Sequence, residues 1–441
     1  MISRRVLIAG MAATGAVWPL RAQVFPPTGY GTPVGTSPFA PEVFAERRRK
    51  VMAKLGGGIA VVFGASLGSS NSSVEAPFYQ DPDFAWLTGI TDEPDAVLII
   101  APGERTFREI LLFSSRNPEA ERWNVERVPL GAEIERRTGF SRVRRTSDLG
   151  GIVTDLASRH KELHFLGPVV GPDVPLPKVL DLYGKVQQRV PGVKTTDSSK
   201  LLASIRVVKE PRELEIIRRA TAATTRGHLA GMREVRPGWT EGQLKDVIEA
   251  GFKAGGGDGL AYSSIVGAGR NAYSLHYTGD RGPIRDSDLI LVDAGASFGG
   301  YATDVTRTYP ANGHFTPKQR SDYELVLEAQ TAAATKLRAG VYYEDLQQAA
   351  RDVFRRAGRI DQFTHGLGHH VGLNVHDAAD YSQPIPAGAV ITIEPGLYVQ
   401  EDNYGIRIED MYLVTATGAE RISAGIPHSV AEIERAMASR G

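Results

Sequence analysis

Cysteine is absent from the 441-residue chain. Without a thiol there is no disulfide framework, cysteine nucleophile, zinc finger or iron–sulfur centre. A metal site in this chain has to be built from His, Asp and Glu. An excess of either charge is missing too, because 51 basic residues balance 51 acidic ones. That argues against nucleic-acid binding, which gathers basic charge on one face. An apolar run long enough to span a bilayer comfortably is also lacking. What is present suits a folded chain of two or three domains: 42% hydrophobic and 23% charged residues.

The N-terminus is the first informative segment. Arg4 and Arg5 follow Ser3, and an apolar stretch then runs to Leu20, broken by Gly10, Gly15 and Pro19. The charged start, apolar middle and Arg21-Ala22-Gln23 end read as a secretory signal over 1–22, cut near Ala22. The paired arginines give it twin-arginine character, so an exported, periplasmic protein is expected. With no cysteine after the apolar run, no lipid anchor and no stable membrane attachment are expected. Residues 23–40, rich in Pro, Gly and Thr, read as a flexible lead-in.

Two units follow. The first spans 41–200, with a helix over 41–55 and apolar strands over 58–63, 96–100 and 110–113. The segment 192–199 reads as the boundary. The second spans 201–441. Glu210-Pro211 opens a helix with Ile216, Ala220 and Ala223 on one stripe, and Thr240…Gln243 and Thr316…Gln319 are capping boxes. Gly340 is expected to stop the helix that the second box begins. Strands are expected over 289–293, 301–309, 390–394 and 405–414.

Within these strands sit acids that burial would penalise. Asp293 ends Leu289-Ile290-Leu291-Val292, Asp304 lies in the run Tyr301 to Thr306, Glu394 ends Val390 to Ile393, and Glu409 follows Gly405 to Ile408. A strand-end acid usually faces water, but four in one half of a chain change the balance. A hairpin around the glycine-rich 295–300 turn would set Asp293 opposite Asp304 on neighbouring strands. Histidine completes the set. Of 10 in the chain, four fall between 365 and 376: His365, His369, His370 and His376. Four carboxylates with a neutral imidazole form a hard, oxygen-rich donor set that suits paired divalent metals such as Mn²⁺, and less clearly Co²⁺, Fe²⁺ or Zn²⁺.

Those residues carry a resemblance. The runs Asp293-Ala294-Gly295, Gly300 to Thr308, His365-Gly366-Leu367-Gly368-His369, His376-Asp377, Ile393-Glu394-Pro395-Gly396 and Gly405 to Asp410 resemble the pita-bread metallopeptidases, the aminopeptidase P family among them. The first unit, through Pro77 to Gly89, Asn117-Pro118-Glu119 and Trp123, resembles that family's N-terminal domain, and the tail from Ile426 to Glu434 resembles its C-terminus. The resemblance implies an α/β (α+β) fold: a creatinase/aminopeptidase P-like N-terminal domain followed by a pita-bread catalytic domain. It implies that Asp293, Asp304, His369, Glu394 and Glu409 hold two divalent ions, most readily Mn²⁺, with a hydroxide between them as nucleophile. Glu394 would accept the proton, His276, His365 and His376 would line the substrate, and Arg407 would pair with the carboxylates. The implied reaction removes the N-terminal residue from peptides whose second residue is proline; an Xaa-Pro dipeptidase or a non-catalytic peptide-binding module on the same fold are the alternatives. A homo-oligomer is implied as well. Two departures stand out, Asn124 to Arg127 where a glycine is expected soon after the Trp, and Met411-Tyr412 after Asp410.

Two G-x-S-x-G runs, at 64–68 and 295–299, lack the strand–turn–helix setting of a nucleophile elbow. Gly255-Gly256-Gly257 lacks the Lys-Ser/Thr of a phosphate loop and reads as a helix end.

Overall fold

A computed structural model describes residues 37–66, 78–123 and 127–439. The expected signal and most of the lead-in lie outside the described residues, as do Pro77 and the departure at Asn124 to Glu126.

The first domain is built on a mixed six-stranded sheet. Its strands are β1 (Ile59–Phe63), β2 (Val97–Ile100), β3 (Glu109–Phe113), β4 (Val143–Arg145), β5 (Glu162–Phe165) and β6 (Lys194–Asp197), in the order β4-β3-β2-β1-β5-β6. The β1–β2–β3 meander is antiparallel, and parallel strands extend it on both sides. The central strands carry continuous Val, Ile and Leu because helices cover both faces, so side chains of either parity are buried. The segment expected as a boundary therefore contains the sheet's edge strand, β6, and the change of unit comes after Asp197. The helix Lys200–Arg206 makes the connection.

The second domain wraps small antiparallel sheets with long helices. The helix Pro211–Glu234 starts at Glu210, whose side chain and that of Glu213 close a reciprocal cap. Thr240 and Gln243 cap Glu241–Ala254 in the same way, and Leu244, Ile248 and Phe252 turn into the core at helical spacing. Thr316 and Gln319 cap Pro317–Lys336. That helix ends at Lys336, ahead of Gly340, so Leu337 rather than the glycine takes the C-cap position.

The strands are β7 (Gly259–Leu260), β8 (Ile265–Ala268), β9 (Leu289–Asp293), β10 (Ala296–Phe298), β11 (Tyr301–Ala302), β12 (Thr306–Pro310), β13 (Val390–Ile393), β14 (Gly396–Val399), β15 (Tyr404–Arg407), β16 (Asp410–Val414) and β17 (Ala419–Arg421). They form the sheets β12-β9-β8, β11-β10-β7, β13-β16-β17 and β14-β15. Two of the expected long strands are broken, and a third gap follows the expected strand 390–394. β11 and β12 are separated at Thr303–Val305, β15 and β16 at Ile408–Glu409, and β13 and β14 at Glu394–Pro395. Asp304, Glu409 and Glu394 occupy those breaks. The hairpin register also differs from expectation: Asp293 faces Thr306, so Asp304 lies two residues further along rather than directly opposite.

The domains meet through buried charges. Arg47, on the helix Pro41–Leu55, lies 3.0 Å from Glu213 and 3.3 Å from Glu210, and Glu213 also accepts from Tyr301 Oη at 2.6 Å.

Candidate metal centre

The strand breaks turn the acids inward to one place. Gly295 permits the tightest of these turns, since a Cβ there would come within 2.0 Å of the Thr303 carbonyl oxygen. Thr306 Oγ1 donates to Glu409 Oε2 at 2.8 Å, tying the end of β12 to the β15–β16 break. Gln330, on the helix Pro317–Lys336, sets its side-chain amide within 3.1 Å of the carbonyls of Ile393 and Ile408, the residues before Glu394 and Glu409. One buried amide thus braces two of the acid-bearing breaks.

All nine residues singled out in the sequence line one cavity of about 380 Å³: His276, Asp293, Asp304, His365, His369, His376, Glu394, Arg407 and Glu409. Oxygens of Asp304 and Glu409 and a ring nitrogen of His369 lie within 4.8 Å of one another. His369 Nε2 faces this group, 3.3 Å from Asp304 Oδ2 and 3.6 Å from Glu394 Oε1. Its Nδ1 is 3.1 Å from the His370 carbonyl, which fixes the proton on Nδ1 and leaves Nε2 free to ligate.

The electrostatics call for a cation. Burial first, then the neighbouring carboxylates, hold Asp304 and Glu409 far above the usual acid range. Burial and the nearby Glu409 push Glu394 up to about 8. The cationic partner inside the group is Arg407, whose Nη2 lies 2.6 Å from Asp293 Oδ2. Tyr262 Oη sits 2.5 Å from both Asp293 Oδ1 and Asp304 Oδ1, and its single proton cannot satisfy both. Glu409 Oε1 is buried with no hydrogen-bond partner among the described residues. An orphaned carboxylate oxygen, crowded acids and a correctly presented imidazole fit hard divalent cations.

A second chain of contacts leaves the metal side. Arg407 Nη1 donates to Tyr398 Oη at 2.9 Å, and Tyr398 Oη lies 3.0 Å from His365 Nε2. His365 Nδ1 is 2.8 Å from the Gly366 carbonyl oxygen. Because Tyr398 accepts from Arg407, its own proton goes to His365 Nε2, so the imidazole carries its hydrogen on Nδ1. Burial first, then Arg407, lowers the His365 pKa to about 4 and keeps the ring neutral. The His376 ring packs against that of His369, centroids 4.1 Å apart and planes tilted by 48°, and burial followed by His369 lowers its pKa. His276 is exposed at the cavity mouth.

Tyr262, Tyr398, Thr306 and Gln330 are the residues that the sequence did not single out. Tyr398 had a usable signal, lying four residues beyond Glu394 at strand spacing in Gly396-Leu397-Tyr398. Tyr262 and Gln330 had none.

Known proteins resemble this chain across both domains. Residues 215–416 match metallopeptidase family M24, and residues 44–164 match the aminopeptidase P N-terminal domain. The chain is 32% identical over 437 residues to a Xaa-Pro aminopeptidase of Haemophilus influenzae, covering 90% of this chain and 97% of that one. The solved proline aminopeptidase P II from Yersinia pestis superposes with a TM-score of 0.81 at 30% identity, over 91% of this chain and 100% of that one. A Xaa-Pro dipeptidase of Pyrococcus furiosus is 34% identical but over 227 residues, 51% of this chain and 65% of its own length. The chain belongs to the Xaa-Pro aminopeptidases of metallopeptidase family M24.

Proposed function

We propose that this chain hydrolyses the first peptide bond of peptides whose second residue is proline, using two divalent cations, Mn²⁺ by preference. The convergence of Asp293, Asp304, His369, Glu394 and Glu409 on one buried cavity carries the reading. The aminopeptidase rather than the dipeptidase is favoured by the aminopeptidase P N-terminal domain over 44–164 and by an aminopeptidase match over 90% of this chain, against 51% for the dipeptidase.

When bound, the cations would supply Lewis acidity to the scissile carbonyl and lower the pKa of water into the neutral range. Asp293, Asp304, Glu394, Glu409 and His369 would hold them. Glu394, at the cavity wall, takes the proton released by the attacking water. The neutral His365, supplied with a hydrogen bond by Tyr398, and the imidazoles of His276 and His376 surround the space where the substrate carbonyl and the leaving proline nitrogen would lie. An Xaa-Pro bond is a tertiary amide without N–H, so a site that grips the chain through imidazoles and carboxylates, not through that N–H, can accept it.

The same reading includes export through the twin-arginine route to the periplasm, supported by Arg4, Arg5 and the apolar run to Leu20. It also includes self-association, supported by the exposed Val169, Val174 and Leu176 on the first domain. Mass-spectrometric product analysis tests the activity. Metal-loaded mature protein is expected to release the first residue from Xaa-Pro-Yaa tripeptides. Cleavage confined to Xaa-Pro dipeptides would make it a dipeptidase, and cleavage of neither would leave a binding module.

A further inference from the structure

A buried charge cluster lies beside the catalytic cavity and touches the segment that carries one of its histidines, His376. Asp377 follows His376 directly, and its side chain is 2% exposed. One of its oxygens meets Arg206 Nη2, and the other lies 3.0 Å from Lys209 Nζ. Arg206 extends its second Nη to Asp83 Oδ1. Asp83 belongs to the helix Pro82–Thr88 of the first domain, and Arg206 ends the connecting helix Lys200–Arg206. Lys209 anchors the second domain, its backbone N–H donating to the Gly388 carbonyl at 2.9 Å. Two cations thus meet two anions across the junction of both domains.

The segment 370–377 is wound around the Asp377 carboxylate. The Asp377 backbone N–H donates to the His370 carbonyl at 2.8 Å, closing the loop on itself. Gly372 has no room for a side chain, since a Cβ there would meet Asp377 Oδ2 at 2.1 Å and Lys209 Cε at 3.0 Å. The His376 ring, by contrast, only packs at a tilt of 48° against His369, with no hydrogen bond to it from a described residue. Its position is therefore set by the backbone at 376–377. Buried ion pairs seldom add net stability over apolar packing, but they do specify one geometry.

We infer that Asp377, gripped by Arg206 and Lys209, is a positioning residue for His376, and that Asp83 carries the seating of the first domain into the active site through Arg206. The inference rests on the proposed role of His376 in the peptidase reaction. Full-length Asp83→Asn, Asp377→Asn and Arg206→Lys proteins, loaded with Mn²⁺, are compared with the wild type. Hydrogen exchange over 370–377 is measured beside kcat and KM on a Xaa-Pro-Yaa tripeptide. Faster exchange in this segment is expected for Asp83→Asn and Asp377→Asn, with kcat lowered by about 10- to 100-fold and KM little changed. Arg206→Lys, which keeps a cation but not the fork that reaches both acids, is expected to lose kcat as well. Unchanged exchange and kcat with only a lower melting temperature would assign the cluster to stability and overturn the inference. Asp83, the most exposed of the four, keeps the test decisive should Asp377→Asn not fold. An inactive wild type would count against the proposed function, while exchange over 370–377 would still decide this inference.

Discussion

Tyr262 shares one phenolic proton between two carboxylates, and this makes it the most informative single side chain of the centre. Burial first, then Asp293 and Asp304, holds its pKa well above that of an ordinary tyrosine, so it remains a donor at any working pH. Tyr262→Phe is expected to weaken metal binding by about 10- to 100-fold while leaving the fold intact, as read by metal titration of the stripped protein. Glu394 gives a pH prediction for the metal-free protein. Its carboxyl is raised from an ordinary 4.5 to about 8, burial being the larger cause and Glu409 the next. Between those values the folded state holds a proton that the unfolded state has lost. Stability is therefore fully present below the unfolded value and declines as pH rises through about 8. Thermal unfolding of the metal-free protein from pH 5 to 9 should show this decline, and saturating Mn²⁺ should remove it. At this scale the sequence was most legible: four acids in apolar runs and a histidine cluster are chemically costly, and cost is visible one residue at a time. Tyr262 was not legible, because its partners lie 31 and 42 residues away and no local pattern surrounds it.

The elements explain how those residues converge. An uninterrupted strand from Tyr301 to Tyr309 would run straight past the centre. The break at Thr303–Val305 instead lets Asp304 turn inward and sets Thr306 opposite Asp293. Hydropathy alone reads both halves as one apolar strand, so the break was invisible; what marks it is the close approach of Gly295 to the Thr303 carbonyl. Gly295→Ala is expected to destabilise the protein by about 1–3 kcal/mol through overpacking and to lower metal affinity, measured by the urea midpoint and by metal titration. Unchanged values in both would show that the turn has slack. Helix starts, by contrast, were readable, because a Thr with a Gln three residues on satisfies orphan N–H groups by local chemistry alone. The helix end at Lys336 was not readable, since Leu337 caps it without any sequence signal.

At the scale of the whole molecule, the first domain bears on the second through Arg47 with Glu210 and Glu213, and through Asp83 with Arg206. The two-unit plan was legible from composition and motif, whereas this seam was not, because Asp83 and Arg206 lie 123 residues apart and Arg47 and Glu210 lie 163 apart. The proposed export is tested at this scale as well. Replacing Arg4 and Arg5 together by lysine is expected to retain the precursor in the cytoplasm, read by cell fractionation and mass of the N-terminus; continued processing would point to the general secretory route. The central claim is that the buried carboxylates hold a pair of divalent cations without which the Xaa-Pro bond is not cut. Titrating the metal-stripped protein with Mn²⁺, while following release of the first residue from a Xaa-Pro-Yaa tripeptide, tests it most directly. Activity should rise from none and level off at two bound ions per chain; full turnover by the stripped protein, or none at saturation, would contradict the account.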